Sequence, residues 1–311
     1  LQHSANIKIM NKNSIILDNT LTLLEKIEPV FTNELKQEII RKKGWRTRFA
    51  PSPTGFLHIG HAFAALIGWQ IANQNPEKFL LRIDDLDFTR CSEKYVNQLI
   101  SDLKWLDINW TAKELYQSQR LSCYSRALQY LVDKDLIYPC YLSRSELTEF
   151  LSPPIEGISK QPNTRQSLSS QVIAKRQQKG IKPVLRLDMK KAIQKVGAIS
   201  WLNIDGTSLK AEPEKFGDII LGRRDITASY HLSVVLDDAQ SNIEVVTRGE
   251  DLRHSTDIHC LLQNLLDLPS PIYFHHPLIF GDDGNKLSKR HKSPSLVDLR
   301  NYKNCLLYTS P

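Results

Sequence analysis

Two groups of basic side chains have residue types and a spacing that suit the binding of phosphate. In the first, His58 and His61 flank Gly60 just after the proline-rich turn 51–55, and a helix is predicted to begin near Leu57. Residues three apart share one face of a helix, and the N–H groups and dipole at a helix start attract anions. The histidine pair therefore predicts a phosphate site, although two polar surface histidines explain this spacing equally well.

The second group is Lys286 and Lys289, which lie within Lys286-Leu-Ser-Lys-Arg290 and follow a glycine-bearing loop at 280–285. This composition predicts a mobile basic segment. Two lysines in such a segment can neutralise charge that develops on a phosphate group during a reaction. By itself the segment would be an ordinary solvated turn. Its position downstream of the histidine pair is what favours a shared catalytic site.

Alternating strands and helices are expected to position both groups. The predicted strands are Arg46–Phe49, Phe79–Ile83, Leu232–Leu236 and Ile243–Thr247. The predicted helices are Leu21–Glu28, Asn33–Lys43, Ala62–Asn73, Ser92–Leu106 with Ser92 as its cap, Ser118–Lys134 and Thr256–Leu266. This alternation predicts an α/β fold with a doubly wound parallel sheet, whose ligands bind at the carboxyl ends of its strands.

Five segments are expected along the chain. Short strands predicted at Val184–Met189, Ile199–Ile204 and Asp218–Leu221 interrupt the alternation and indicate an inserted α+β subdomain. The expected segments are an N-terminal extension at 1–44, the first half of the α/β domain at 45–138, the inserted subdomain at 139–216, the second half with the lysine segment at 217–294, and a tail at 295–311.

Composition excludes several classes of protein. Of 311 residues, 41% are hydrophobic and 24% charged, as in ordinary soluble globular proteins. The formal charge of +7 and the isoelectric point near 9.0 are compatible with a nucleic-acid partner. No apolar run approaches the length of a membrane span. Five widely spaced cysteines without a Cys-x-x-Cys pair favour a reduced compartment. We expect a cytoplasmic monomer.

The two basic groups, in this order, resemble the His-Ile-Gly-His and Lys-Met-Ser-Lys-Ser signatures of class I aminoacyl-tRNA synthetases. Here Leu287 replaces the methionine and Arg290 the final serine, as in the glutamyl branch. The resemblance covers residues 46 to 294 and implies a Rossmann-like fold. Further matches to the glutamate-binding and ATP-binding segments of glutamyl-tRNA synthetases are found at Leu81–Asp87, Tyr230–Asp238 and Arg248–Asp251.

Two stretches, 218–230 and Tyr273–Pro277, resemble the shorter paralogues of that family, the glutamyl-Q tRNA(Asp) synthetases. Only 21 residues follow Arg290, fewer than a helical anticodon-binding domain needs. The resemblance implies that ATP activates glutamate, which is then transferred to the queuosine base in the anticodon stem-loop of tRNA(Asp). Two alternatives stay open: a truncated glutamyl-tRNA synthetase that charges the 3′ end of tRNA(Glu), and a catalytically silent RNA-binding module.

The resemblance also assigns roles to residues. His58, Gly60, His61 and Lys289 would bind ATP, and both histidines would act in catalysis with Lys286 and Lys289. Mg²⁺ would be held mostly by phosphate oxygens and water. The residues implied in glutamate binding are Arg48, Phe49, Ala50, Pro51, Ser52, Asp84, Tyr230 and Arg248.

Arginine forks suit a carboxylate because they bond it bidentately, so Arg48 and Arg248 would hold the glutamate side chain. Asp84 would meet the ammonium and stands where the family usually has a longer Glu. Without the family, Arg48 and Arg248 are equally well explained as ion-pair partners of Asp84 or Asp251.

The zinc site of many of these paralogues is not matched. Their Cys-x-Cys pair corresponds here to Cys140 and Leu142, and residues 143–170 contain neither Cys nor Tyr. A four-coordinate site needs more ligands than one cysteine provides. We predict that the protein holds no zinc and that Cys140 is a small buried apolar residue.

Overall fold

The structure, a computed structural model, describes residues 16–17, 21–22, 27–143, 146, 168–225, 228–279 and 295–300. The chain divides into two compact units. The first unit comprises residues 1–117, 243–253 and 272–311, and the second comprises residues 118–242 and 254–271. The boundaries of these two units differ from those of the five segments expected from the sequence. The five-segment division stays a prediction.

Twelve strands are formed by the described residues. They are β1 Ile16–Leu17, β2 Leu21–Thr22, β3 Thr47–Phe49, β4 Phe79–Ile83, β5 Leu115–Tyr116, β6 Ile137–Cys140, β7 Val184–Leu187, β8 Ser200–Leu202, β9 Ser208–Lys210, β10 Ile220–Gly222, β11 Val245–Gly249 and β12 Ile272–His276. The helices of eight or more residues within the same ranges are α1 Asn33–Arg41, α2 Ile59–Ile71, α3 Glu93–Trp105, α4 Leu121–Asp133, α5 Ser170–Gln178, α6 Met189–Val196, α7 Tyr230–Gln240 and α8 Ser255–Leu265.

Parallel strands form the centre of the first unit. β3 pairs with β4 and β4 with β5, while β11 pairs with β12. β11 lies beside β3, because the carbonyl of Arg46 accepts hydrogen bonds from the N–H groups of Glu244 at 2.8 Å and Val245 at 3.2 Å. The spatial order is therefore β12-β11-β3-β4-β5, which is the order of a doubly wound sheet.

Helix α2 packs closely against this sheet. Nine of its thirteen residues are buried, which makes it apolar on most of its circumference. Gly68 allows the close approach: a Cβ there would lie 3.2 Å from the Phe79 ring and 3.4 Å from Thr247 Oγ1. In α3, by contrast, only one face is buried, and Ser92 stands at its N-cap without a side-chain hydrogen bond. The contacts of Gly68 thus place the last turn of α2 directly against β4 and β11.

The second unit contains antiparallel strands and helices. Strands β10, β7 and β6 form one sheet in that order, and β8 and β9 form a hairpin. Asp218 organises the first sheet, since its carboxylate accepts hydrogen bonds from the Tyr138 hydroxyl at 2.6 Å and the Met189 N–H at 2.9 Å. Arg186, which is 1% exposed, donates to the Asp218 carbonyl. Cys140 is buried in a cluster with Tyr138 and Leu142, as predicted.

Two predicted elements are wrong. The predicted strand Leu232–Leu236 lies inside helix α7, which is buried on several sides, with Leu232, Ser233 and Asp237 fully inaccessible. A short apolar run does not distinguish a buried strand from a buried helix. The predicted helix Leu21–Glu28 instead includes strand β2, which pairs with β1 in antiparallel register.

Within the described ranges, no helix is long and apolar enough to cross a membrane.

Candidate active site

The sheet of the first unit has a switch point between β3 and β11. From β3 the chain continues to β4 on one side, whereas β11 lies on the other side. In doubly wound sheets, ligands bind in the crevice at the carboxyl ends of the strands that flank such a point. Arg48 on β3 and Arg248 on β11 lie near these ends and are only 8% and 6% exposed. Both arginines predicted to bind a carboxylate are therefore buried on the two strands that flank the switch point.

Arg48 is held across the switch point. Its Nη1 donates a hydrogen bond of 2.9 Å to the carbonyl of Thr247 on the neighbouring strand. A guanidinium has five N–H donors, and this bond to a backbone carbonyl orients the group.

Arg248 is held by strand β12. The two strands are in register with Arg248 opposite His275, and Arg248 Nε lies 3.2 Å from His275 Nε2. The guanidinium also lies over the Tyr273 ring, 5.3 Å from its centre, and the rings of Tyr273 and His275 are parallel within 3°. Burial, reinforced by the charges of Arg248 and Arg253, lowers the pKa of His275 to about 3. A neutral imidazole acceptor thus fixes the arginine.

This histidine predicts an acid-dependent loss of stability. The folded pKa of about 3 lies below the unfolded value of about 6.5, so the unfolded state binds a proton that the folded state rejects. The free energy of unfolding should therefore fall as the pH drops from about 6.5 toward 3, by about 2 kcal/mol at pH 5. Urea unfolding of His275→Gln at pH 7 and pH 5 should show a correspondingly smaller loss.

The exposed His254 provides the control for this experiment, because His254→Gln should keep the acid sensitivity of the parent protein. Equal pH dependence in the parent and in His275→Gln would contradict the buried neutral state.

His58 and His61 form an imidazole capping arrangement at the start of α2. His58 is the N-cap residue, and its Nδ1 accepts a hydrogen bond of 3.1 Å from the Gly60 N–H. The Nδ1 of His61 in turn accepts a bond of 3.2 Å from the His58 N–H. The ring centres are 3.8 Å apart. Since both Nδ1 atoms accept, each neutral ring carries its proton on Nε2 and presents an N–H donor there.

A downstream segment is tied to this helix start. Ser295 forms a β-bridge with His58, and the Leu296 N–H donates a hydrogen bond of 2.8 Å to the Leu57 carbonyl. Leu296 is fully buried, and Arg300 Nη1 lies 4.0 Å from the carboxylate of Asp102 on α3. The lysine segment precedes Ser295 in the chain. Lys286 and Lys289 themselves lie outside the described residues.

Asp84 follows β4 and is bonded to Arg82. Arg82 Nε lies 2.6 Å from Asp84 Oδ1, and Nη2 lies 3.3 Å from Oδ2. The two side chains are 5% and 9% exposed, which makes this a buried, bidentate ion pair. The Asp84 N–H also donates a hydrogen bond of 3.0 Å to the carbonyl of Pro51. The carboxylate predicted to meet an ammonium is therefore held in place by an arginine that the sequence reading did not single out.

The remaining predicted glutamate-binding residues fall into two places. Phe49 and Pro51 are buried at the end of β3, Ala50 is half-buried, and Ser52 is exposed. Tyr230 belongs to the second unit, where it is the first residue of α7 and 43% exposed. Its ring contacts His231 and His259 of the same unit, with centres 5.4 and 5.7 Å away.

Sequence reasoning missed three supporting residues of the first unit: Arg82, His275 and Ser295. A signal existed for Arg82, because residues i and i+2 of a strand share one face. His275 lies within the stretch Tyr273–Pro277 matched above, but its contact with Arg248 could not be read from it, and no local pattern marks Ser295. Among the described residues there is also no group of three His, Cys, Asp or Glu side chains able to hold a metal ion. The absence of zinc stays a prediction.

The family model described as "tRNA synthetases class I (E and Q), catalytic domain" matches residues 45–305. The chain belongs to this family. Membership indicates a ligase, and ATP binding is typical of such enzymes. The fold class predicted from the sequence and the resemblance to glutamyl-type synthetases are both confirmed.

Similar proteins differ in how much of their length the chain covers. Glutamyl-Q tRNA(Asp) synthetase of Rhodobacter capsulatus is 42% identical over 82% of this chain and 94% of its own length. Glutamate–tRNA ligase 2 of Coxiella burnetii is 35% identical over 82% of this chain and 53% of its own. The glutamate-tRNA synthetase structure from Elizabethkingia anophelis has a TM-score of 0.65 at 25% identity, covering 79% of this chain and 53% of that one. The chain thus spans about half the length of the latter two.

Proposed function

We propose that this protein activates glutamate with ATP to form glutamyl-adenylate and transfers the glutamyl group to the queuosine base of tRNA(Asp). The observation that carries the proposal is the 42% identity to a glutamyl-Q tRNA(Asp) synthetase, over 94% of that relative's length. The first unit adds a buried pair of arginines and a helix start with two imidazole donors, which suit a carboxylate and a polyphosphate respectively.

The proposed activation needs no nucleophile from the protein. The α-carboxylate of glutamate forms a bond to the α-phosphorus of ATP, and the bond to the bridging oxygen of pyrophosphate breaks. Catalysis of such a displacement consists mainly of positioning the reactants and stabilising charge. His58 and His61 would contribute Nε2–H donors at the positive end of α2, where the phosphates of ATP would bind. Gly60 lies between them in the first turn.

Arg48 and Arg248 would hold the side-chain carboxylate of glutamate. Both guanidinium groups are buried and oriented by a neighbour, Thr247 and His275 respectively, so little side-chain freedom is lost when the ligand binds. Asp84 would accept the ammonium, since carboxylate oxygens can accept further bonds beside those from Arg82. Phe49, Ala50, Pro51, Ser52 and Tyr230 are proposed to complete the pocket.

Lys286 and Lys289 are proposed to neutralise charge on the departing pyrophosphate. Mg²⁺ would share this role through phosphate oxygens and water. Action as a cytoplasmic monomer, recognition of the anticodon stem-loop and the five-segment division of the chain stay predictions.

The function is tested by supplying radiolabelled glutamate and ATP with one of three acceptors: tRNA(Asp) with queuosine, tRNA(Asp) without it, and tRNA(Glu). We expect ATP–pyrophosphate exchange without any tRNA and label only on queuosine-bearing tRNA(Asp). A queuosine-bearing anticodon stem-loop should also accept glutamate, because a loop base can be splayed out and read without the rest of the tRNA.

Label on the 3′ end of tRNA(Glu) would replace the proposal by a glutamyl-tRNA synthetase activity, which the 35% identity to glutamate–tRNA ligase 2 makes the second candidate. Equal labelling of both forms of tRNA(Asp) would also refute the queuosine assignment. Absence of pyrophosphate exchange would instead favour a catalytically silent RNA-binding module.

A further inference from the structure

The second unit contains a cavity of about 640 Å³ whose lining residues all come from that unit. Four cationic side chains line it, Lys175, Arg176, Lys179 and Arg224, against one carboxylate, Glu146. The net charge of +3 predicts an anionic occupant. None of these residues has a role in the activation chemistry described above.

The two arginines build the wall of the cavity. Arg176 forms a bidentate ion pair with Glu146 and donates a hydrogen bond of 2.6 Å to the Tyr141 carbonyl. Arg224 donates one of 2.8 Å to the Leu142 carbonyl. Their guanidinium groups are therefore engaged in holding the chain after β6. The function of the cavity must rest mainly on its lysines.

Lys175 and Lys179 are exposed and one helical turn apart, and neither forms an ion pair with a described residue. Like charges at this spacing destabilise a helix slightly. Lysines near the end of a helix are also favoured by its dipole, and this would explain Lys175 and Lys179 without any ligand. Arg224, which follows β10 rather than this helix and is held by the Leu142 carbonyl, adds its positive charge to the same cavity.

The lining also includes exposed apolar side chains. Val172 and Ile181 are each 38% exposed, and Val172 precedes Lys175 by three residues on the same face of α5. A single inorganic phosphate would fill only a small part of this volume and would leave the apolar side chains in water. Grooves that follow a nucleic-acid strand combine cations for the phosphates with apolar surface for sugars and bases.

We propose that this cavity binds the phosphate backbone of RNA, with Lys175 and Lys179 each neutralising a phosphate. The inference rests on the proposed function, because the RNA would be its tRNA substrate. The binding is electrostatic, so it should weaken as salt rises.

The test is the double variant Lys175→Ala/Lys179→Ala, with fluorescently labelled tRNA(Asp) as the probe. At moderate salt the Kd for tRNA should rise on the order of 10-fold. The slope of log K against log salt should become shallower by about 1.4 to 1.8, since each lost phosphate contact removes roughly 0.7 to 0.9. ATP–pyrophosphate exchange without tRNA should stay within about twofold of the parent. The matched control is Lys190→Ala/Lys195→Ala, which removes two exposed lysines of α6 in the same unit.

Equal weakening by the α6 control would show a general charge effect and overturn the inference, as would unchanged tRNA affinity in the cavity variant. Weaker binding of ATP or inorganic phosphate to the cavity variant would instead assign the cavity to a small anion. If the parent protein transfers no glutamate to tRNA(Asp) but the cavity variant still loses RNA affinity, the proposed function fails and the RNA site stands.

Discussion

Arg248→Lys should raise the KM for glutamate in ATP–pyrophosphate exchange by about 100-fold, with a much smaller change in kcat. A lysine cannot reproduce the planar fork of a guanidinium or its stacking on an aromatic ring. The bidentate, charge-assisted bonds that would be lost are about twice as strong as neutral hydrogen bonds, so binding weakens although the positive charge is kept. Because the side-chain carboxylate of glutamate is remote from the reacting phosphorus, its contact is the same in the ground and transition states, and its loss appears mainly in KM.

Arg253→Lys is the control for this measurement. Arg253 is also in the first unit, but it is partly exposed and paired with Glu250 at 3.2 Å. Its replacement should change KM by less than about threefold, because exposed ion pairs contribute little. A normal KM in a folded Arg248→Lys variant would remove Arg248 from glutamate binding. A large fall in kcat at unchanged KM would give it a role in the transition state instead.

Asp237→Ala should lower the free energy of unfolding of the second unit by about 3–5 kcal/mol, because it breaks a buried ion pair by removing one partner. Asp237 is fully buried, and its carboxylate accepts hydrogen bonds from the Tyr124 hydroxyl at 2.8 Å and from Arg120 Nε at 2.6 Å. Burial and the neighbouring carboxylate raise the pKa of Tyr124 far above its ordinary value, so its hydroxyl remains a donor. Hydrogen exchange of α4 and α7 in urea measures the loss.

Asp133→Ala is the matched control, since Asp133 is an exposed residue of α4 that accepts a hydrogen bond of 2.8 Å from Gln129. It should change stability by less than about 0.5 kcal/mol. Tyr124→Phe removes only one donor and should cost about 1–2 kcal/mol. A loss below about 1 kcal/mol in Asp237→Ala would mean that the Arg120 and Tyr124 groups find water when the carboxylate is removed.

The Asp237 network also shows how a motif recognised from sequence can have a structural role. By its resemblance, the stretch Tyr230–Asp238 is predicted to be a ligand-binding segment. In the structure it forms part of helix α7, and the carboxylate of Asp237 accepts hydrogen bonds from Tyr124 and Arg120. The segment Leu232–Leu236 predicted a strand because a run this short, with four apolar residues of five, carries no period that separates strand from helix.

Local patterns in the sequence determined the parallel strands β3, β4 and β11, the helices α2 and α3, the buried state of Cys140 and the membership of a synthetase family. Apolar runs and helical periodicity are properties of neighbouring residues. They predict the observed elements because burying apolar side chains on one face of a helix or strand lowers the free energy of the fold. The histidine pair was predicted in the same way, from residue type and spacing, whereas the two arginines were assigned by resemblance to the family.

Only the tertiary structure decided how these side chains are held. The neutral state of His275, the bond from Arg48 to Thr247 and the bridge between Ser295 and His58 join residues that are distant in the chain. The ring tautomers of the His58 pair follow from an N-cap geometry that histidine seldom occupies. Burial sets the protonation of such groups, and burial is produced by packing between segments, which no local pattern encodes.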